Sequence, residues 1–282
     1  MRLVDTINVR WRFLMGSRAP VDCIDAVRAS RVELMDASEY HRIAKSEHDH
    51  WWYRSTRQLA KELLADALVP GIVCLDIGAG PGGNGDWLHS YGTVIALDIE
   101  PIALAYVQSQ HRELVPVLGS ATALPIANAS IDVVLALTVL YHLDDDEAAF
   151  GEIARVLRPG GRALVLEPAF PVLHREHDIV THGVRRYRRG DLNRLALHAG
   201  LDVTRSTYAK SFLFVPAALI AVIQRLVGGH KQAVSPRSDL EPRRFEALLG
   251  PIASFVSRLE NAWLRRRGVA FGTSVLVVVR RP

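Results

Sequence analysis

The stretch Val73-Cys74-Leu75-Asp76-Ile77-Gly78-Ala79-Gly80-Pro81-Gly82-Gly83-Asn84-Gly85 decides the fold of this chain of 282 residues. An apolar run ends in Asp76 and passes into a turn that contains five glycines. Glycine takes a positive φ without strain and lets the backbone approach a ligand closely. The stretch therefore predicts a buried strand, a ligand-binding loop, and a helix over residues 84–91 whose N-terminus points at the loop.

A second acid follows the next apolar strand. Val94-Ile95-Ala96-Leu97 ends in Asp98, 22 residues after Asp76. An acid at this distance suits the two hydroxyls of a ribose, so the first half of the chain is expected to bind a nucleoside-containing cofactor. Gly78, Gly80 and Gly83 match G-x-G-x-x-G, which leaves a nicotinamide dehydrogenase as an alternative, although this match alone is a weak signal.

Apolar strand patterns alternate with helical patterns through most of the chain. This alternation predicts an α/β fold with a mostly parallel sheet and helices on both faces. The predicted strands are 72–76, 93–98, 114–118, 132–137, 162–166, 201–208 and 274–279.

The order of several motifs resembles that of a known enzyme family. Gly78, Gly80 and Gly82 match G-x-G-x-G two residues after Asp76. Further segments follow in order: Gly119-Ser120-Ala121-Thr122-Ala123-Leu124-Pro125, Val133-Val134-Leu135-Ala136-Leu137, Tyr141-His142-Leu143 and Leu157-Arg158-Pro159-Gly160-Gly161. Over residues 63–168 the chain resembles the class I S-adenosylmethionine-dependent methyltransferases, of the methyltransferase type 11 kind. The resemblance implies a Rossmann-like seven-stranded sheet, S-adenosylmethionine as cofactor, and methyl transfer as the activity.

Motifs outside that core extend the resemblance to residues 40–227. They resemble a bacterial subset with a His-Trp-Trp-aromatic segment, many of whose members are linked with cell-surface glycan or lipid-linked sugar assembly. In this chain the motifs are His50-Trp51-Trp52-Tyr53, Pro168-Ala169-Phe170, Asp178, Arg185-Arg186-Tyr187 and Leu213-Phe214-Val215-Pro216. One departure is His182-Gly183, which the subset often has as Gly-His, so a specific role for His182 is not carried over.

The chain divides into four predicted parts. Residues 1–68 form an N-terminal helical extension and lid, and 69–209 form the cofactor-binding core. Residues 210–272 are a helical insertion near the acceptor site, since a methyltransferase core needs only a tight hairpin there. Residues 273–282 supply the last core strand.

The resemblance implies a set of cofactor-binding residues. The loop holds the methionine part, Asp98 the ribose and Ile99 the adenine, and the end of strand four lies beside the methyl group. Ser120 stands where related proteins often have an acid, so it is a weaker acceptor. The full set is Asp76, Gly78, Ala79, Gly80, Gly82, Asp98, Ile99, Ser120, Ala121, Leu137 and Thr138.

Candidate catalytic residues follow from the proton that a hydroxyl acceptor must lose. His142 comes first as the general base because it follows strand four; His177, His174 and Glu167 come next. The pair Arg185 and Arg186 is a candidate grip for a phosphate or carboxylate. No metal is expected, because the spacing of the histidines near Asp178 matches no strong metal signature.

Composition limits the partners. The net charge is +4, but only 4 of 34 basic residues are lysine, with no clustered stripe, so no DNA is expected. The two cysteines form no disulfide framework, which favours a cytoplasmic setting. The apolar run 212–223 is too short to span a bilayer and is interpreted as a packed lid helix or a peripheral membrane contact.

The expected function is therefore O-methylation of a small-molecule, lipid-linked or sugar acceptor. The alternatives are a methyltransferase for RNA or protein, and a cofactor-binding module without turnover. The absence of an Asn/Asp-Pro-Pro-aromatic tetrad after strand four counts against amine acceptors on bases. The oligomeric state stays open.

Overall fold

The computed structural model describes residues 36–174, 178, 181–226 and 244–282. Its centre is a seven-stranded sheet in the order β3-β2-β1-β4-β5-β7-β6. The strands are β1 Ile72–Ile77, β2 Gly92–Asp98, β3 Leu114–Leu118, β4 Ile131–Leu137, β5 Leu157–Pro168, β6 Asp202–Ala209 and β7 Ser274–Arg280. Strand β7 is antiparallel to β5 and β6, and the other pairs are parallel. The predicted Rossmann-like, mostly parallel sheet is confirmed.

Helices cover both faces of the sheet. They are α1 Ala37–Ser46, α2 Trp51–Leu63, α3 Pro101–Gln110, α4 Asp146–Val156, α5 Arg189–His198, α6 Phe214–Leu226 and α7 Arg244–Leu264. Alternate residues of each strand enter two separate apolar clusters, one on each face. Strands β1, β4 and β7 are buried almost throughout, because an apolar cluster packs on each face of the sheet.

The predicted helix over 84–91 is wrong. The segment forms only a short 3₁₀ helix, Asp86–Ser90. Just six residues, 86–91, separate Gly85 from the start of β2, and the preceding glycines do not favour a longer helix. A helix dipole aimed at the glycine loop is therefore not a feature of this site.

Most of the described residues between β6 and β7 are helical, and they are tied to the N-terminal helices. Asn261 on α7 donates to the carbonyl oxygen of Ser55 on α2 at 2.9 Å. The fully buried Lys210 donates through Nζ to Ser55 Oγ, and burial lowers the pKa of this lysine to about 8. Glu260 accepts from the N–H groups of Lys210 and Ser211 at 2.9 and 2.7 Å. Helices α2 and α7 are thus joined by buried polar contacts.

The domain boundaries at 68, 209 and 272 remain a proposal. Most of the N-terminal extension lies outside the described residues, as does His177. Within the described part of the chain, no helix combines the length and apolarity needed to cross a bilayer.

Candidate functional site

A cavity of about 520 Å³ lies at the carboxyl ends of β1, β2 and β4. The strand order reverses between β1 and β4, which is where open α/β sheets bind ligands. The glycine loop forms one end, and helices α1, α2 and α6 enclose the other. The described lining includes Tyr40, Trp51, Trp52, Gly78, Ala79, Gly80, Asp98, Ile99, Ser120, Ala121, Leu137, Thr138, Tyr141, His142, Asp178, Arg186 and Ile220.

Two glycines shape the loop. Gly78 and Gly80 have φ angles of +66° and +56°, which residues with a Cβ atom rarely adopt. A Cβ on Gly78 would stand 2.5 Å from Val139 Cγ2, whereas a Cβ on Gly80 would meet open space. Gly78 therefore permits close packing against the end of β4, and Gly80 leaves room on the cavity side.

Asp98 joins the loop to the end of β2. Its carboxylate is buried and accepts from the N–H of Gly80 at 2.8 Å and from the N–H of Glu100 at 2.9 Å. Burial raises the pKa of this carboxyl, while these backbone hydrogen bonds oppose the rise. Asp98 also lines the cavity, as its assignment to a ribose requires.

Asp76 and Gly82 are not among the described residues that line the cavity, and their contact with the cofactor stays a prediction. Asp76 is buried beneath the loop, and its Oδ2 has no hydrogen-bond partner in the structure. Burial, reinforced by Asp98 and Glu47, raises the pKa of Asp76 to about 8. Gly82 faces His111 and Val107 of α3. Both residues support the loop from behind, which a spacing pattern cannot distinguish from direct contact.

The connection between α1 and α2 lies on the glycine loop. Arg57 donates to the carbonyl oxygens of Glu47 at 2.7 Å and Gly83 at 3.4 Å. The His111 ring lies 3.1 Å from the carboxylate of Asp86 and 3.6 Å from that of Glu47. The pKa of His111 is raised, chiefly by its hydrogen bond to Glu47. This connection closes the cavity over the loop.

The loop end of the cavity is acidic. The acids Glu39, Glu47, Asp98 and Glu100 are part of its described lining. Such a surface attracts a cationic ligand and repels the pyrophosphate of a dinucleotide. The residues therefore fit S-adenosylmethionine, which carries a positive sulfonium, and they disfavour the nicotinamide alternative.

The predicted adenine-side residues are brought together. Ile99, Ser120 and Ala121 all line the cavity, and Ser120 is buried. Ser120 Oγ lies 2.9 Å from Thr122 Oγ1, so its hydroxyl already has a neighbour within hydrogen-bonding distance. The missing acid is thus replaced by a pair of hydroxyls.

The turn after β4 is held by Glu167. Its carboxylate accepts from the N–H groups of Val139, Leu140 and Tyr141 at 3.0–3.2 Å. Burial raises the pKa of Glu167 to about 8. Glu167 is completely buried and absent from the described lining, so its candidacy as base is wrong. It positions the turn instead. Thr138, within this turn, has a strained φ of +57° and lines the cavity beside Leu137.

Of the two candidate histidines that the structure describes, only His142 lines the cavity. Its ring lies 3.8 Å from that of Tyr141, centroid to centroid. His174 is outside the described lining, because the 3₁₀ turn Pro171–Leu173 presents Leu173 to the cavity instead. His177 lies outside the described residues.

The two arginines are already committed to acids. Arg186 makes a two-pronged ion pair with Asp178 at 2.9 and 3.0 Å, and this buried pair forms part of the cavity wall. Arg185 pairs with Asp146 at 2.9 Å and is not part of the described lining. The predicted grip on an anion is therefore wrong for Arg185. Among the described residues, no group of His, Cys, Asp and Glu could hold a metal ion.

Sequence reasoning predicted lid helices before and after the core but did not name the residues with which they line the cavity. Tyr40, Ile43 and Glu47 line it from α1, and their spacing of three and four residues is the signal that could have found them. Pro216, Ala217 and Ile220 line it from α6. That helix is apolar on every side, so no periodicity marks its inner face.

Comparisons with known proteins agree with this geometry. Residues 75–165 match the model of the "Methyltransferase domain" family. A demethylmenaquinone methyltransferase of Renibacterium salmoninarum is 33% identical over 39% of this chain and 48% of that protein. A malonyl-[acyl-carrier protein] O-methyltransferase of Hahella chejuensis is 35% identical over 32% of this chain and 34% of that protein. The chain spans about half the length of the first curated relatives it matches, 46–48%.

A solved structure shares the fold. It is phosphoethanolamine N-methyltransferase 2 of Haemonchus contortus in complex with S-adenosylmethionine, at 18% identity and a TM-score of 0.50, covering 80% of this chain and 52% of that one. This likeness shows the fold, and the family match assigns its core. Residues 75–165 carry a methyltransferase domain of the class I S-adenosylmethionine-dependent kind, whose cofactor is S-adenosylmethionine.

Proposed function

We propose that this protein is an enzyme that methylates a hydroxyl group on a small-molecule or lipid-linked acceptor, with His142 as general base. The observation that carries the proposal is the continuity of one cavity from the acidic glycine-loop end to His142. The cavity can therefore enclose the cofactor and the acceptor together. Holding two reactants in the correct relative geometry is a major source of rate enhancement in group transfer.

The cofactor end uses residues already described. Asp98 and the loop from Gly78 to Gly80 would hold S-adenosylmethionine, with Ile99, Ser120 and Ala121 on the adenine side. When bound there, S-adenosylmethionine would supply a methyl group attached to a positively charged sulfur. A nucleophilic oxygen can attack such a methyl carbon, and the sulfur leaves as a neutral thioether.

The presence of His142 in the cavity lining supports its role as the group that takes the hydroxyl proton. It lies at the acceptor side of the cavity, on a 3₁₀ turn whose neighbouring N–H groups are fixed by Glu167. Burial raises the pKa of both Tyr40 and Tyr141, so these phenols stay neutral and can donate hydrogen bonds but not act as bases. Asp178 is neutralised by Arg186. An imidazole suits general-base work near neutral pH, which supports His142 in this role.

Enclosure favours a small acceptor group over folded RNA or protein. Trp51 and Trp52 of α2 line the cavity, and Trp51 packs against Phe212 at 5.9 Å between ring centroids. This aromatic wall can exclude water and receive an apolar or sugar-like surface. The relative from Hahella chejuensis is an O-methyltransferase, which supports oxygen as the acceptor atom. We also propose that the protein acts in the cytoplasm.

The test is a search for a labelled product. Purified protein is incubated with deuterated-methyl S-adenosylmethionine and soluble or lipid extracts, and mass spectrometry locates the label. We expect a labelled hydroxyl in wild type, a loss of ~10²–10⁴ in rate for His142→Ala, and no loss for His198→Ala on α5. Full turnover by His142→Ala would remove the base, and cofactor binding without any labelled product would favour a module without turnover.

A further inference from the structure

The outward side of α6 is apolar and exposed. Val215 is 70% exposed, and Leu219, Val222 and Ile223 are also exposed. A monomeric protein rarely leaves such a contiguous stretch in water without a function for it. Within the apolar run 212–223, Phe212 packs on Trp51 and Phe214 packs on Phe170, so these two rings face inward. The exposed residues are their neighbours.

Helix α7 carries a second exposed stripe. Ile252, Phe255, Leu259 and Trp263 recur at helical spacing, and each is more than half exposed. The opposite side of α7 holds the buried Ser257, Asn261 and Leu264. The apolar stripe is therefore turned away from the body of the protein.

The elements that carry the two stripes meet near the start of α6. Phe271, which is exposed after α7, lies 5.3 Å from Phe214 at the start of α6, measured between ring centroids. Glu260 of α7 also binds Ser211, just before α6. We call this region the outer apolar face; its members are Val215, Leu219, Val222, Ile223, Ile252, Phe255, Leu259, Trp263 and Phe271.

Positive charge borders the outer apolar face. Arg258, Arg265, Arg266 and Arg267 are all exposed on α7 or just after it. The one acid between residues 250 and 272 is Glu260, which is buried and bound to Lys210 and Ser211. Apolar side chains flanked by arginines match the surface of an anionic bilayer, in which acyl chains lie under negative headgroups.

The outer apolar face continues into the cavity. Pro216 and Ile220 are exposed, and both also line the cavity. Leu219 and Ile223 stand beside Ile220 on the same helix. An apolar chain could therefore run along α6 from the outside to the acceptor end without crossing a polar surface.

We propose that the outer apolar face docks on an anionic lipid bilayer, and that the acceptor is a membrane amphiphile whose head group enters the cavity along α6. The docking stands on the surface alone. The identity of the acceptor rests on the proposed methyl transfer.

The test is sedimentation with vesicles of phosphatidylcholine alone or mixed with phosphatidylglycerol. We expect wild type to bind the mixed vesicles more tightly than the neutral ones. Leu219→Asp with Ile223→Asp should lower binding at least tenfold, and neither residue lines the cavity. Arg265→Glu with Arg266→Glu should lower binding to the mixed vesicles only. Leu197→Asp, an exposed leucine on α5, is the matched control and should bind as wild type.

The docking proposal would be overturned if the wild type stayed in the supernatant with both kinds of vesicle. It would also be overturned if the variant with Leu219→Asp and Ile223→Asp bound vesicles as tightly as the wild type. A wild-type dimer that the Leu219 and Ile223 changes dissociate, without vesicle binding, would assign the face to a second copy of the chain instead. Calorimetry with S-adenosylmethionine on the same samples shows that each variant is folded. Vesicle binding without labelled product would leave the docking in place and remove the methyl transfer.

Discussion

The carboxylate of Asp98 accepts a hydrogen bond from the backbone N–H of Gly80 at 2.8 Å. One acid at the end of β2 thus fixes the loop after β1, and the same acid lines the cavity. Binding and loop geometry are therefore coupled through a single side chain.

Asp98→Ala should weaken S-adenosylmethionine binding more than tenfold, a loss of over ~1.4 kcal/mol. The change removes both the cavity-facing acceptor and the anchor of Gly80. Isothermal titration calorimetry measures the affinity, and Asp49→Ala, at a highly exposed acid, is the control. Unchanged affinity in Asp98→Ala would remove this residue from the cofactor site.

Gly78→Ala should destabilise the protein more than Gly71→Ala does. Both positions have positive φ, +66° and +88°, but only a Cβ on Gly78 meets Val139. The difference between the two variants isolates the steric clash, which we expect to cost ~1–3 kcal/mol. Urea unfolding measures it. Adding Val139→Ala should restore part of the loss in Gly78→Ala, and equal losses at the two glycines would contradict the packing.

Asp76→Asn should stabilise the cofactor-free protein at high pH while weakening cofactor binding. The pKa of Asp76 is about 8 in the folded chain against a usual 3.8, so folding takes up a proton between these values. The contribution of this acid to stability therefore falls as pH rises from about 4 to about 8. The asparagine variant lacks this fall, and its advantage above about pH 8 should be on the order of 1–3 kcal/mol. Denaturant unfolding across this pH range measures it, and parallel curves for the two proteins would refute the assignment.

His111→Gln should remove a pH-dependent part of the stability. Glu47 first and Asp86 second raise the pKa of His111 in the folded protein above its usual 6.5. This contribution is complete below pH 6.5 and is lost as pH rises through the folded pKa. The difference in stability between wild type and His111→Gln should thus be larger at about pH 5.5 than at about pH 8.5.

The sheet and the cofactor loop could be predicted because each depends on local patterns. Apolar runs ending in Asp76 and Asp98 indicate adjacent strands, and parallel strands place their carboxyl ends at one edge. The observed β1 and β2 each differ from the predicted strand by a single residue at one end.

The acceptor side could not be derived in the same way. It depends on contacts between distant parts of the chain, such as Arg186 with Asp178 and Asn261 with Ser55. A motif shows that Arg186 is present, but not that a buried acid neutralises it. Glu167 illustrates the same limit, because its three backbone partners become visible only when the turn after β4 is folded.

The link between Ser55 and residues 210 and 261 has a consequence for engineering. Helix α2, which carries the tryptophans, is joined by buried hydrogen bonds to Lys210 and Asn261, although 155 and 206 residues of sequence separate these partners from Ser55. Replacing only the segment between β6 and β7 with that of another protein would remove Lys210 and Asn261 and leave Ser55 without these buried partners. An attempt to transplant acceptor preference should therefore exchange α2 together with α7.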